Sequence, residues 1–484
     1  MTNFTFKCCL PDPPHQQPID LLNTLSVTDG DLAALQFGDC RDETVIASQP
    51  IITWTLYRTA RGTLESELLA GSGILPPQPA EIKPQRSILC ALDDWEAILD
   101  GTCIHCDAPG MIPPRWMGFI SYSAGELLEA ATAEASAVGQ WPLMRWQLFG
   151  RYYIFNSTTQ RWILCALDYA QDPGAGRALA VMTEALQATG NQPMAQPTVT
   201  QATVLAVPQP ARLMEDIAAV QQYIAAGDIY QANLAVPWTV GTRESPVTIY
   251  RRLCQYTVAP YSAFLRFANH HIICASPELF LQRAGQSIRT EPIKGTRPRF
   301  SHDPPADEAQ FRELLQSVKD QAELNMITDL LRNDLGKICE YGSVRVENPR
   351  QLQAHPSVWH TCSTVIGTLR KPRSGSGWTS IIKAMCPGGS ITGAPKIRAM
   401  QIIAALERFP RDVYCGHIGW INGSNGALNI AIRSIFMRGH SATIHAGAGI
   451  VADSSPSEES REIAVKAKAP LAALGVVIDE SIGG

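Results

Sequence analysis

Apolar positions recur along this chain at two periods, and the two do not alternate regularly. Leu213, Ile217, Val220 and Ile224 fall three or four apart and the pattern stops at Gly227, which predicts a helix ended by glycine. A second helical stretch is predicted from about Glu308 to Leu335, with Phe311, Leu315, Val318, Ala322 and Met326 on one stripe. A third begins at Pro395, a favourable first helical residue, and carries Ile397, Met400, Ile403 and Leu406. Between them, short apolar runs predict strands at 271–275, 343–347, 365–369, 416–421, 427–436 and 442–445. Earlier runs at 51–57, 116–122 and 151–155 read the same way, with polar turns between them. Mixed order without βαβ alternation predicts an α+β fold with mainly antiparallel sheet.

Pro193, Pro197, Pro208 and Pro210 fall in a weakly charged stretch with no helical period. This predicts a β-rich N-terminal domain over 1–190, a connector over 191–211, a second domain over 212–475 and a C-terminal tail over 476–484. The 484 residues, 45% hydrophobic and 18% charged, suit a globular protein with one large or two ordinary cores. A formal charge of −5 leaves no general basic field, so no nucleic-acid partner is expected. The first residues lack a signal-type apolar region, and no apolar run reaches the ~18 residues that span a bilayer. A cytoplasmic protein with no membrane partner is expected. Thirteen scattered cysteines fit reduced thiols. Cys103 and Cys106 have metal-like spacing, without a second pair at a zinc-finger distance.

Several segments offer chemistry. Lys294, in Pro-Ile-Lys-Gly-Thr-Arg-Pro-Arg, is a candidate nucleophile or a solvated lysine. The segment from Gly388 to Lys396 has the glycines of an anion loop but not the Gly-Lys-Ser/Thr of a P-loop; a carboxylate site or a tight turn into a helix are both open. Glu323 lies on a predicted helix, and Glu459 and Glu462 sit three apart on another; such carboxylates hold Mg²⁺ or simply face water. Gly447 to Gly449, with Arg433, is either a carboxylate receptor or a plain turn beside a surface arginine. Glu278 follows an apolar strand, where a desolvated carboxyl becomes a general acid and an exposed one does not. His360 is a site residue or a packed histidine.

In this order, Gly227-Asp-Ile-Tyr-Gln-Ala-Asn-Leu234, Ser276-Pro-Glu278, Pro292-Ile-Lys-Gly-Thr-Arg-Pro298, Asp329-Leu-Leu-Arg-Asn-Asp334, Gly388 to Lys396, Ile432-Arg433 and Ala446-Gly-Ala-Gly-Ile450 resemble the chorismate-utilising enzymes. The resemblance covers roughly 210 to 475 and is weak before the connector. It implies two large, mainly antiparallel sheets packed face to face with helices outside. It also implies Mg²⁺ held by Glu323 and Glu462 with Glu459 nearby, and chorismate as substrate. The implied substrate-binding positions are Gln231, Thr296, Thr392, Tyr414, Arg433, Gly447, Ala448, Gly449 and Lys466, with Lys294, Glu278 and His360 catalytic.

Two positions choose a branch within this family. Members that use water have a lysine where this chain has Gln231, and anthranilate synthases have alanine at Lys294. The pair resembles the aminodeoxychorismate synthase component I branch, which feeds 4-aminobenzoate and folate synthesis. That branch implies a protonated Glu278 helping the ring 4-hydroxyl depart, a neutral Lys294 attacking carbon 2, and ammonia entering at carbon 4. No glutaminase domain is recognisable, so a separate glutamine amidotransferase subunit is the expected partner. Anthranilate synthase component I is the alternative, and a non-catalytic chorismate- or tryptophan-binding subunit is a further one. Pro470 is expected to end or kink the last helix.

Overall fold

The computed structural model describes residues 2–11, 17–28, 30–37, 43–70, 81–107, 115–129, 132, 139–168, 174–189, 202–257, 259–355, 358–372 and 375–476. Two long strands, Glu43–Arg58 and Met144–Asn156, pair with each other and belong to two sheets at once. The first part of Glu43–Arg58 pairs with Leu32–Phe37 and its last part with Leu64–Ala70. Between the two parts the register slips at Pro50/Ile52, and Gln49 takes φ 58°. A bulge with a left-handed residue bends a strand, which lets one segment leave one sheet for the other.

From Leu32–Phe37 the first sheet continues through Tyr261–Phe267, His270–Ser276, Ser434–Arg438, Ser441–Ile450 and Gln231–Gly241 to Thr203–Ala206. On its other side Met144–Asn156 pairs with Arg161–Asp168, then Thr2–Cys9, then Thr102–Cys106. The second sheet runs from Met144–Asn156 through Trp116–Ile120, His417–Asn422, Asn425–Asn429, Leu279–Ala284 and Ser287–Glu291 to Val358–Thr368. Val358–Thr368 also pairs with Ile293–Pro298 and Arg345–Ala354. Among the described residues every strand pairing is antiparallel except Thr2–Cys9 with Thr102–Cys106. The expected sheet type and face-to-face arrangement are both present.

Alternation along the strands builds the two cores. Ala33, Leu35 and Phe37 join a cluster with second-sheet residues such as Trp54, Phe119 and Leu281, whereas Leu32 and Ala34 join a cluster under the outer helices. The period of two places successive side chains on opposite faces, so one sheet lines both cores. Helices Pro210–Ala225, Pro246–Tyr256, Lys396–Leu406 and Pro456–Ala473 cover the outer face through Leu213, Leu253, Ile403 and Ile463. Strands from both sides of residue 190 lie in both sheets. Residues 191–201 of the expected connector lie outside the described residues, Thr203–Ala206 is a strand, and Pro210 opens a helix. No helix among the described residues is long and apolar enough to cross a membrane.

Several elements differ from expectation. The stretch from Glu308 to Leu335 is two helices, Pro304–Gln316 and Val318–Gly336, hinged at Ser317 with φ −64° and ψ 109°. Ser317 Oγ accepts from Asp320 N at 3.2 Å, and Arg350 Nη2 donates to the Leu314 carbonyl at 2.7 Å, so the break is capped on both sides. The run at 427–436 is broken into Asn425–Asn429 and Ser434–Arg438, with Arg433 at φ 50° in the gap. Gly447 to Gly449 is not a turn but the last part of Ser441–Ile450. Pro470 does not end its helix, which continues to Ala473. Pro470 has no N–H for the Lys466 carbonyl, so one rung of the ladder is missing there while the helix carries on past it.

Candidate active site

Lys294 stands on Ile293–Pro298, opposite Thr361, while Thr296 stands opposite His360. The register slips between them because Gly295 takes φ 75°; a Cβ there would lie 2.8 Å from Leu314 Cδ1 and 2.9 Å from Asp320 Cγ. Only glycine accepts both the conformation and the approach. The Thr361 hydroxyl donates to the Lys294 carbonyl, which holds the backbone and leaves the half-buried amine to project. Gln231 and Gly449 come from the first sheet. A Cβ on Gly449 would lie 2.2 Å from Gln231 Nε2 and 3.7 Å from Lys294 Nζ. The amide of one sheet and the amine of the other therefore converge where glycine leaves room.

Three carboxylates feel the charge of that amine. Glu278 is 5% exposed, and burial pushes its carboxyl up to about 7 against the Ser390 hydrogen bond, the Lys294 charge, the Ile293 backbone N–H and the Lys466 charge. Its own backbone N–H is held by Ser276 Oγ at 3.2 Å. Burial also raises Glu323, with Lys294 and Lys319 opposing and Asp320 and Glu462 adding to the rise. Burial acts upward on Glu462 too, but the ammonium of Lys466, 2.7 Å away, together with Lys319 and Lys294 holds this carboxyl below its ordinary value. Lys466 also donates to the Gly447 carbonyl at 2.9 Å, tying the last helix to the glycine strand.

Glu459 is differently engaged. It is 2% exposed, and its Oε1 accepts from Ser454 Oγ at 2.7 Å and Lys319 Nζ at 3.2 Å. Glu323 accepts no hydrogen bond from the described residues, and its repulsion with Glu462 and Asp320 is the kind of charge that a divalent cation neutralises. The donor set thus fits an open Mg²⁺ site of one or two carboxylates completed by waters and a substrate oxyanion. The three glutamates do not close as a cage: among the described residues only Cys8, Cys106 and Cys165 bring three ligand atoms within 4.8 Å of one another.

A second group surrounds His360, which is 2% exposed and has neither ring nitrogen hydrogen-bonded within the described residues. Burial, the Arg433 charge and His355 push its imidazole down to about 3, so it is neutral at ordinary pH. Arg433 is half-buried, and burial alone acts on its guanidinium, with no carboxylate paired to it among the described residues. An unpaired guanidinium beside a neutral imidazole is suited to an incoming carboxylate. Strand Ser434–Arg438 pairs with Ser441–Ile450 only as far as Ile444, so beyond it alternate backbone groups of the stretch through Gly447, Ala448 and Gly449, apart from the Gly447 carbonyl held by Lys466, face no strand among the described residues.

Other expected site residues lie elsewhere in the network. Thr392 is fully buried and its hydroxyl donates to the Gly388 and Gly389 carbonyls at 3.0 and 3.3 Å, closing its own turn. Tyr414 stacks on His445 at 5.0 Å and meets Cys415, and burial raises its phenol well above the ordinary value. Thr296 is exposed. Ser390, which holds Glu278, lies inside the segment expected to be a carboxylate site or a tight turn; its hydroxyl after two glycines is the available signal. Asp334 and Lys396, from two separate motifs, form a buried ion pair at 2.6 Å. Arg411 pairs with Glu407 at 2.6 Å and donates to the Asn233 and Ile391 carbonyls, pinning the Gln231 strand to the loop that carries Ser390.

Residues 81–472 match the chorismate binding enzyme family. Among the relatives, aminodeoxychorismate synthase component 1 of Bacillus subtilis is 42% identical over 264 residues, 54% of this chain and 55% of the relative. That match spans about half the relative's length. Anthranilate synthase component 1 1 of Haloarcula marismortui is 34% identical over 455 residues, covering 88% of this chain and 90% of the relative. The crystal structure of anthranilate synthase component I from Streptococcus pneumoniae superposes with a TM-score of 0.70 at 25% identity, covering 89% of this chain and 92% of that one. MenF, the menaquinone-specific isochorismate synthase from Escherichia coli, shares the fold with a TM-score of 0.69 at 17% identity, covering 97% and 94%.

Proposed function

The chain belongs to the chorismate binding enzyme family, and from that premise we propose that it aminates chorismate at carbon 4, as an aminodeoxychorismate synthase component I. The observation that carries this reading is the approach of the Lys294 amine to the Gln231 amide and to the carboxyl of Glu278. A buried acid at about 7 is half-protonated near neutrality, as a general acid should be. Glu278 gives its proton to the departing 4-hydroxyl, which leaves as water. Lys294, as the free amine, bonds to carbon 2 while both ring double bonds shift towards carbon 4. Ammonia then bonds to carbon 4 and returns a proton to the Glu278 carboxylate, both double bonds shift back, and the lysine is expelled as the free amine, giving 4-amino-4-deoxychorismate. Gln231 places a neutral amide where activation of water would need a base. Arg433 and the free edge at Gly447 to Gly449 receive carboxylates, beside neutral His360. Glu323 and Glu462 are the residues to hold Mg²⁺, which when bound neutralises the ring carboxylate.

A separate glutamine amidotransferase subunit is the proposed source of ammonia. The test is an incubation of the purified chain with Mg²⁺, chorismate and ammonium chloride, followed by mass analysis, with Lys294→Ala in parallel. Aminodeoxychorismate from the parent and none from the variant is expected; formation indifferent to the substitution rejects the nucleophile. The length of the Haloarcula match favours a second reading, anthranilate synthase, which release of pyruvate and a fluorescent product would identify. Chorismate left untouched would reject both.

A further inference from the structure

At the edge of the first sheet opposite the one that carries Gln231–Gly241 and Thr203–Ala206, three cysteines from three neighbouring strands face one another. Cys8 lies opposite Cys165 in the antiparallel pairing of Thr2–Cys9 with Arg161–Asp168. On the other side the parallel register sets Phe6 beside Cys106, which brings Cys106 diagonally to Cys8. Cys8 Sγ is 2.9 Å from both Cys106 Sγ and Cys165 Sγ. Those distances exceed the ~2.05 Å of a disulfide. Three thiolates around one ion, each at ~2.3 Å, would stand a little under 4 Å apart, so the sulfurs need part by only about 1 Å. Cys165 is fully buried, whereas Cys8 and Cys106 are half-buried, so the cluster has a closed floor and an open side. The Cys8 backbone N–H is bonded to Asp107 Oδ1 at 3.0 Å, which ties the Cys8 strand to the residue after Cys106.

We propose that Cys8, Cys106 and Cys165 form a site for a soft, thiophilic d¹⁰ cation such as Zn²⁺ or Cu⁺, with the remaining coordination position open to water. A disulfide would use two of the sulfurs and leave the third crowded against them; a metal uses all three. Each thiol gives up its proton to solvent as its sulfur binds, so uptake releases three protons and changes no oxidation state. The expected metal-like spacing from Cys103 to Cys106 thus acquires different partners: Cys106 is completed across the sheet rather than along its own strand. The side chain of Cys103 lies outside the described residues. Because the site lies at that sheet edge, its role is to fasten the Thr2–Cys9 strand to its neighbours.

The test titrates the reduced, metal-free chain with Cd²⁺ and follows thiolate-to-cadmium charge-transfer absorption. One equivalent is expected to saturate the band. Cys8→Ser and Cys106→Ser should each weaken binding by about 100-fold or more, at least the loss caused by removing an outer partner of a ligand. Cys90→Ser, at an exposed cysteine elsewhere, should leave the band intact. Zn²⁺ should raise the thermal midpoint of the parent but not of the two ligand variants. The half-buried positions carry the test because a substitution at buried Cys165 risks the fold. A band unchanged in both ligand variants overturns the proposal. So does a reduced chain that takes up no metal yet loses two thiols to a Cys8–Cys165 disulfide when treated with oxidised glutathione.

Discussion

Replacing Glu278 by Gln separates the electrostatic cost of this carboxyl from its chemistry. In the folded chain the carboxyl sits at about 7, against an ordinary value of 4.5. Burial is the main cause. A carboxyl raised by folding leaves the native state holding the proton longer than the unfolded one. Stability is therefore lost as pH climbs from the unfolded value towards the folded value, and the loss is constant above it. Linkage over this interval gives a loss of about 2–3 kcal/mol between about pH 5 and about pH 8. Glutamine keeps the shape and has no charge to bury, so Glu278→Gln should gain about that much over the parent as pH rises across this window. Urea unfolding of both proteins at the two pH values reads the difference. The variant should also lose the chemical step, and the parent should lose its acid-dependent rate about tenfold per pH unit above the folded value. An equal stability difference at both pH values would show that the carboxyl is not raised, and the general-acid assignment would fall with it.

Arg433→Ala should lower kcat/KM by about 30–100-fold, mostly through KM, the scale of one charged hydrogen bond of ~2–3 kcal/mol. The His360 imidazole should rise from about 3 when that cation is removed, as NMR titration would show; an unchanged KM and an unmoved histidine would remove Arg433 from the site. Gly449→Ala sets a methyl 2.2 Å from Gln231 Nε2, so the amide or the strand must shift, at a cost of about 1–3 kcal/mol. Its amination rate should collapse in the same incubation, and retention of full rate would show that this spot is not where substrate meets the amine. Asp334→Ala strips the buried Lys396 of its carboxylate and should destabilise the fold by about 3–5 kcal/mol in chemical denaturation. A change below ~1 kcal/mol would mean that water reaches the amine and that the motif is not a structural pin.

Local patterns revealed the elements whose cause is local. The helix over Pro210–Ala225 followed from its stripe and from Gly227, which takes φ 80° just past its end. The apolar strand running into a proline marked Glu278 but left its carboxyl either desolvated or exposed; the fold, which buries it to 5% exposure, decides between the two. The break at Ser317 did not show in the pattern: the expected stripe runs straight through it, yet Leu315, Val318 and Ala322 on that stripe are exposed, and the residues actually buried are Leu314 on one side and Leu324, Ile327 and Leu331 on the other. The strand ending at Ile450 was shortened in expectation, since Gly447 and Gly449 have weak strand propensity and are held there by the ladder to Asn233 and Ala235. Pairing of Leu32–Phe37 with Tyr261–Phe267 joins segments far apart in sequence, and no periodicity records a partner's address.

The same distinction explains why the candidate nucleophile was legible while its surroundings were not. Lys294 and Gly295 are neighbours in the chain, so an amine beside a bulge can be read directly. Its distances to Gln231, Gly449 and Glu278 depend on two sheets meeting at one end. Ile293–Pro298 is fixed in the second sheet through Val358–Thr368, and Gln231–Gly241 in the first through Ser441–Ile450. Nothing in the strands themselves sets the gap between them. Arg411 and Glu407 bind the first sheet to the loop of Ser390, and Ser390 holds Glu278 beside the second. The motif residues with no part in bond making therefore set the reach of the amine, and a fault in this buried bridge should separate Lys294 from Gln231 as effectively as removing either side chain.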